Sequence, residues 1–190
     1  MSSQFPPSRF QHLFDVTGAR VILHGRNASA LAETAELIET EAGASALIGM
    51  FGVTDKDAAK RGTATLFRDY GVPDILINIA SVQSQLARQT IAPHSATKGG
   101  VAQLTKGMAA DLARHNIQVN AISPGYFATE MNRDLVADDH FDSWLRPRTP
   151  AGRWGSFGEL PGVLLFLSSE ASSFVSGQNI FLDGGMSAVV

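Results

Sequence analysis

Hydrophobic positions along the chain fall in short apolar runs separated by amphipathic stretches. Arg20-Val21-Ile22-Leu23-His24, bounded by Gly18 and Gly25, predicts a short buried strand over residues 20–24. Asn27 then caps a helix whose apolar positions Leu31, Ala35, Ile38 and Ala42 recur at three- and four-residue spacing until Gly43. The same unit follows again. Residues 46–51 predict a second strand, and Thr54 or Asp55 starts a helix carrying Ala59, Leu66, Phe67 and Tyr70, stopped by Gly71. A third strand over residues 74–80 is apolar on both faces, as in a parallel sheet covered on both sides.

A loop over residues 82–93 leads to the longest helix, starting near Ser95, with Val101, Leu104, Met108 and Leu112 as its stripe. Asn116 stands where a left-handed cap is needed, and residues 117–122 give another strand. From Tyr126 to Gly158 the pattern loosens around Trp144, Pro147, Pro150 and Trp154, which predicts an irregular lid or binding loop. A short helix carries Val163 to Leu167, with Pro161 in its first turn, and residues 179–183 close the sheet before Gly184-Gly185. Residues 1–14, with Pro6 and Pro7, predict an N-terminal arm. Strand alternating with helix argues for an open α/β sheet.

Composition narrows the function classes. The 190 residues suit one core, and 44% hydrophobic with 17% charged residues is a globular balance. A net charge of −3 with scattered basic residues offers no footprint for nucleic acid. The run Val163-Leu164-Leu165-Phe166-Leu167 is far too short to span a membrane, and the start of the chain lacks the pattern of a secretory signal. With no cysteine, thiolate metal sites and disulfides are excluded, no metal is expected, and a cytoplasmic protein fits best.

The chemistry-bearing stretch runs from Ser81 through His94-Ser95-Ala96-Thr97-Lys98 to Ser123-Pro124-Gly125. His94 and Lys98 share a helical face. Asn120-Ala121-Ile122-Ser123-Pro124-Gly125 with Thr129, and Asn179 to Gly185 with its Asp-Gly-Gly turn, follow in order. Read singly, Pro-Gly is a turn signal and Asp-Gly-Gly a strand end. Their joint order resembles the catalytic half of the short-chain dehydrogenase/reductase family. The likeness is greatest to its gluconate 5-dehydrogenase-like members, and rests also on Ala19 to Asn27, Ile79 to Ser84, Tyr126 to Met131 and Arg148 to Gly155.

The resemblance implies NADP-linked interconversion of a sugar acid or polyol and its keto form, with NAD as the alternative cofactor. Its partner would be a small alcohol or ketone, and a homo-oligomer fits the family. Ser81 would polarise the substrate carbonyl and Lys98 would hold the nicotinamide ribose. Where the family has a tyrosine as proton donor, this chain has His94. Imidazole is shorter than a phenol and suits accepting a proton better than donating one; read alone, a first-turn histidine is more often structural. Pro124, Gly125 and Thr129 match the segment that holds the nicotinamide, and Asn78 matches a strand-end asparagine. Arg26 and Asn27 stand where the adenosine ribose is read, and an arginine there suits a 2′-phosphate. A solvated arginine at a helix start is the alternative.

Two parts of the family's pattern have no counterpart. The chain passes from Phe14-Asp15-Val16-Thr17-Gly18 straight to Ala19-Arg20-Val21, with no glycine-rich phosphate turn before Arg26. Within Ile77-Asn78-Ile79-Ala80-Ser81 two strands of the family run together, and Gly52 stands where an aspartate is usual. The implied fold is α/β, an incomplete Rossmann-like doubly wound parallel sheet in a single truncated domain over residues 1–190. It lacks the first strand-turn-helix and the helix between strands 4 and 5. Its sheet should be rearranged, re-paired or covered by a partner chain. Impaired turnover is expected, the alternative being a non-catalytic remnant acting as an interaction or oligomerisation module.

Overall fold

Asn27 opens the first helix by accepting amide hydrogens of Ser29 and Ala30 on Oδ1, at 3.1 and 3.3 Å. A computed structural model describes residues 21–42, 45–52 and 54–189. The expected N-terminal arm, Phe14 to Gly18 and the Gly43 stop lie outside the described residues. The chain divides into two compact units, one ending at Pro73 and the other beginning at Asp74.

In the first unit, β1 (Val21–Gly25) and β2 (Ala46–Met50) pair in parallel, with Val21 opposite Ala46, across the helix α1 (Ala28–Ala42). Leu31 is buried under β1, close to Gly25. The second helix, α2 (Lys56–Tyr70), is capped by Asp55 rather than Thr54, through the amides of Asp57 and Ala58. Gly71 ends it at φ +90°, a conformation glycine adopts without steric cost. Gly62 on α2 is required by the Phe51 ring, which any Cβ there would overlap. No α2 side chain is fully buried, and Phe67, expected on the inner face, is exposed.

The second unit holds a parallel sheet ordered β3 (Ile75–Ile79), β4 (Gln118–Pro124), β7 (Asn179–Leu182). Ile75 lies opposite Gln118, and Ala121 opposite Asn179. The strand covered on both faces is β4, where Val119, Asn120, Ala121, Ile122 and Ser123 are all buried. β3, expected in that role, is a sheet edge among the described residues and leaves Ile79 56% exposed. Burial on both faces needs elements packed above and below the strand, and at the end of β3 Ile79 lacks that cover.

The long helix α3 (Ala92–Leu112) begins earlier than Ser95, because Pro93 fits a first helical turn. Its inward face runs through Val101, Thr105, Met108, Ala109 and Leu112; Leu104 stays exposed, so the stripe is rotated from the one expected. Asn116 takes the left-handed cap at φ +58°.

The stretch from Tyr126 to Gly158 is not irregular. It folds into β5 (Phe127–Ala128), α4 (Arg133–Val136), α5 (Asp139–Arg148) and β6 (Gly155–Ser156), with β5 and β6 paired in parallel. Asp138 caps α5, and Pro147 falls within its last turn. Phe141, Leu145 and Trp154 from this stretch pack with Val82 and Met186 into a buried cluster. Prolines 147 and 150 read as breakers, whereas the aromatic burial outweighs them. After α6 (Pro161–Leu167), β7 runs into a turn where Gly184 and Gly185 have positive φ. Asp183 accepts the amides of Gly185 and Ser187 there, at 3.0 and 2.8 Å. No helix among the described residues is long and apolar enough to cross a membrane.

Candidate functional site

The carboxyl end of β3 gathers the residues that matter. Ala80 continues the ladder by donating to the carbonyl of Ile122 at 2.8 Å, which aims the chain into Ser81. Ser81 then caps a single 3-10 turn (Val82–Ser84), its Oγ accepting the Gln83 amide at 3.2 Å. From α3, Lys98 reaches back so that Nζ donates to the carbonyl of Ile79 at 2.9 Å. The serine turn and the lysine therefore meet at one strand end. His94, one helical turn before Lys98, is exposed, and its ring has no hydrogen-bond partner among the described residues.

Behind this end lies a polar cluster. Ser123 Oγ donates to Asn179 Oδ1 at 2.6 Å, Asn179 Nδ2 donates to Ser84 Oγ at 3.2 Å, and the two serine hydroxyls lie 3.4 Å apart. Asn120, fully buried, donates to the Val175 carbonyl and accepts the Gln178 amide, which pins the approach to β7. Asn78 donates to Thr105 Oγ1 at 3.0 Å, tying β3 to α3. Gly125 is needed for packing, since a Cβ there would stand 2.8 Å from Asp183 Cα.

Two cavities flank these elements. The smaller, about 210 Å³, lies beside Tyr126, Thr149, Glu159 and Asp183. The larger, about 530 Å³, is walled by Arg88, Thr90, His140, Phe141, Trp144 and Arg148. Neither is lined by Ser81, His94 or Lys98.

The family described as enoyl-(acyl carrier protein) reductase matches residues 75–187. A gluconate 5-dehydrogenase of Gluconobacter oxydans (strain 621H) is 44% identical, over 89% of this chain and 85% of that protein. The chain belongs to the short-chain dehydrogenase/reductase family. That alignment runs over 219 positions, more than the 190 residues present here, so the relative carries internal residues without counterparts in this chain. A 5-keto-D-gluconate 5-reductase of Escherichia coli (strain K12) is 58% identical over 60% of this chain, which is under half (45%) of that protein's length. A crystal structure of a gluconate 5-dehydrogenase from Burkholderia cenocepacia J2315 in complex with NADP and tartrate has a TM-score of 0.87 and 36% identity. It covers 96% of this chain and 91% of that one.

Seen as a short-chain dehydrogenase/reductase, the chain offers some side chains suited to a dinucleotide and lacks others. Lys98 has two further N–H donors beyond the one given to Ile79. Pro124 and Gly125 stand at the carboxyl end of β4, and Thr129 follows β5 without a side-chain bond to the turn it precedes. In the first unit Arg26 is exposed at the carboxyl end of β1, its stem passing over Gly52, and its guanidinium has no acidic partner among the described residues. The Asn27 and Asn78 side chains are already engaged, in capping and with Thr105. Of the glycines before Arg26, Gly25 is strand and Gly18 lies outside the described residues. In each unit, then, some of the side chains that the resemblance assigns to a dinucleotide are open and others are engaged.

Sequence reading passed over two groups. Gln83 is buried, donates to the Tyr126 hydroxyl at 3.3 Å and leaves Oε1 without a donor. Arg88 sits in what reads as a plain connecting loop, and nothing in that loop's polarity signals the aromatic helix beneath it.

Proposed function

We propose that this chain is an NADP-linked oxidoreductase that interconverts a hydroxyl and a keto group on a sugar acid, at a turnover limited by His94. The observation that carries the reading is the Lys98 bond to Ile79, which brings an ammonium to the strand end that Ser81 leaves. Support also comes from the gluconate 5-dehydrogenase similarity and from the neighbour's NADP complex. NADP, when bound, supplies or accepts the hydride.

The chain's own residues divide the remaining work. Ser81 Oγ already accepts the Gln83 amide, so its hydroxyl hydrogen is available for a substrate carbonyl oxygen. Lys98 keeps two donors for ribose hydroxyls and adds a fixed positive charge. His94 accepts the substrate's hydroxyl proton in oxidation; in reduction it has to return one. An arginine at position 26 suits a 2′-phosphate by its chemistry, which favours NADP over NAD. The whole chain would act as one truncated domain of the family, in the cytoplasm, alone or as a homo-oligomer.

A second reading is favoured by the engaged Asn27 and Asn78 and by the missing glycine-rich turn: a non-catalytic remnant that serves as an assembly module. Titrating NADPH against tryptophan fluorescence separates the two. Saturable binding followed by NADPH-linked reduction of 5-keto-D-gluconate supports the enzyme, and a flat titration selects the remnant.

A further inference from the structure

Phe141, Trp144 and Arg148 are spaced three and four residues apart on α5 and so share one face of that helix. Opposite them runs the loop that joins the Ser81 turn to His94, and it contributes Arg88 and Thr90. The Arg88 guanidinium lies 5.4 Å from the Phe141 ring centre, and that of Arg148 lies 5.8 Å from the ring of Trp144. Each cation is thus oriented by an aromatic face, which holds a planar guanidinium without consuming its hydrogen-bond donors.

Neither arginine has an acidic partner among the described residues, and no acidic residue lines the cavity. Of the acids at the start of α5, Asp139 does not line the cavity and two others are committed elsewhere. Asp138 caps α5, and Asp142 is held by Arg146 and the Trp154 indole. Arg88 Nε is buried and donates to nothing. A buried donor without an acceptor is uncommon, so the Arg88 stem is held by packing against Phe141 rather than by a hydrogen bond at Nε. At about 530 Å³ the space suits a small molecule. Thr90 holds φ +71°, a strained backbone for a β-branched residue, at the same rim.

We propose that Arg88 and Arg148 form a carboxylate-binding site that takes the acid group of a small polyhydroxy acid. Two oriented guanidinium forks match the planar, two-oxygen geometry of a carboxylate, and the rings beside them pack against the carbon chain. The proposal rests on the sugar-acid reading above and names the part of such a substrate that this wall would hold.

Isothermal titration calorimetry on the full chain with sodium D-gluconate tests it, with sorbitol as the uncharged polyol and inorganic phosphate as a competing anion. Gluconate should saturate, and sorbitol should give no heat of binding. Arg88→Gln and Arg148→Gln should each weaken gluconate by about tenfold or more, with Arg88→Lys in between. The gluconate-to-sorbitol contrast needs no variant, so it stands even where a variant fails to fold. Equal behaviour of gluconate and sorbitol overturns the site, as does binding that both glutamine variants leave unchanged or that phosphate displaces at equal concentration. Arginine-dependent gluconate binding without NADP-linked turnover keeps this site and removes the oxidoreductase reading. Turnover with KM for gluconate unchanged in both variants does the reverse.

Discussion

Lys98 Nζ stands 2.9 Å from the carbonyl oxygen of Ile79, two residues before Ser81. The bond fastens the first half of α3 to the last residue of β3, so a change at either end is felt at the other. Replacing Lys98 with methionine should lower stability by about 0.5–1.5 kcal/mol, the usual net worth of one such bond. It should weaken NADPH by about tenfold. Urea unfolding and the NADPH titration read the two effects separately, and a variant with unaltered nucleotide affinity would remove the lysine from the site.

His94 is the position where a single side chain is expected to raise activity. It is exposed and makes no side-chain bond, so His94→Tyr should leave stability within about 0.5 kcal/mol. A correctly placed proton donor is worth roughly 10²–10⁴-fold, and kcat for reduction should rise by about that range's lower end. Initial rates with 5-keto-D-gluconate and NADPH check this. No rise in a variant that binds NADPH saturably would show that the side chain is not limiting.

The cluster of Ser84, Ser123 and Asn179 predicts a stability effect without a catalytic group being touched. Asn179→Leu deletes one donor and one acceptor and leaves the buried Ser123 hydroxyl without its 2.6 Å partner. The expected loss is about 1–3 kcal/mol by urea denaturation, with the m-value unchanged. Asn179→Asp, which keeps the acceptor for Ser123, should recover part of it.

Asp142 gives the chain an acid-sensitive contact. The Arg146 guanidinium, and then the Trp154 indole, hold its carboxyl below the ordinary carboxylate value. A group depressed on folding stabilises the native state above its unfolded value, near 3.9, and that contribution is lost as pH falls through the lower folded value. Asp142→Asn should therefore be less stable than the parent at neutral pH and converge with it in strong acid. Melting temperatures from pH 7 down to about pH 2 decide the matter; parallel curves would refute it.

Much of the element order was legible because it rests on local chemistry. Asn27, Asp55, Gly71 and Asn116 each cap or stop a helix through their own side chain or backbone freedom. Ser81 and Lys98 were picked out by the family resemblance and not by local chemistry, since the bond from Lys98 to Ile79 joins a helix to a strand 19 positions away. Three features depended on what lies across space. β3 reads as doubly covered, yet its sheet position exposes Ile79. Leu104 fits the helical stripe, yet Thr105 and Ala109 are the residues that face inward. The Tyr126-to-Gly158 stretch reads as loose because of its prolines, while Phe141, Leu145 and Trp154 find partners in Val82 and Met186 that no local pattern names. The arginine pair of the larger cavity was hidden for the same reason, Arg88 and Arg148 standing 60 positions apart in the sequence.

The Ser84-to-Asn179 bond spans 95 positions. During synthesis the segment beside Ser81 emerges long before Asn179, and until then it rests on β4 and Tyr126 without that last tie. Stalled or C-terminally clipped products ending before Asn179 would carry every residue of the candidate chemistry and yet leave it unlatched.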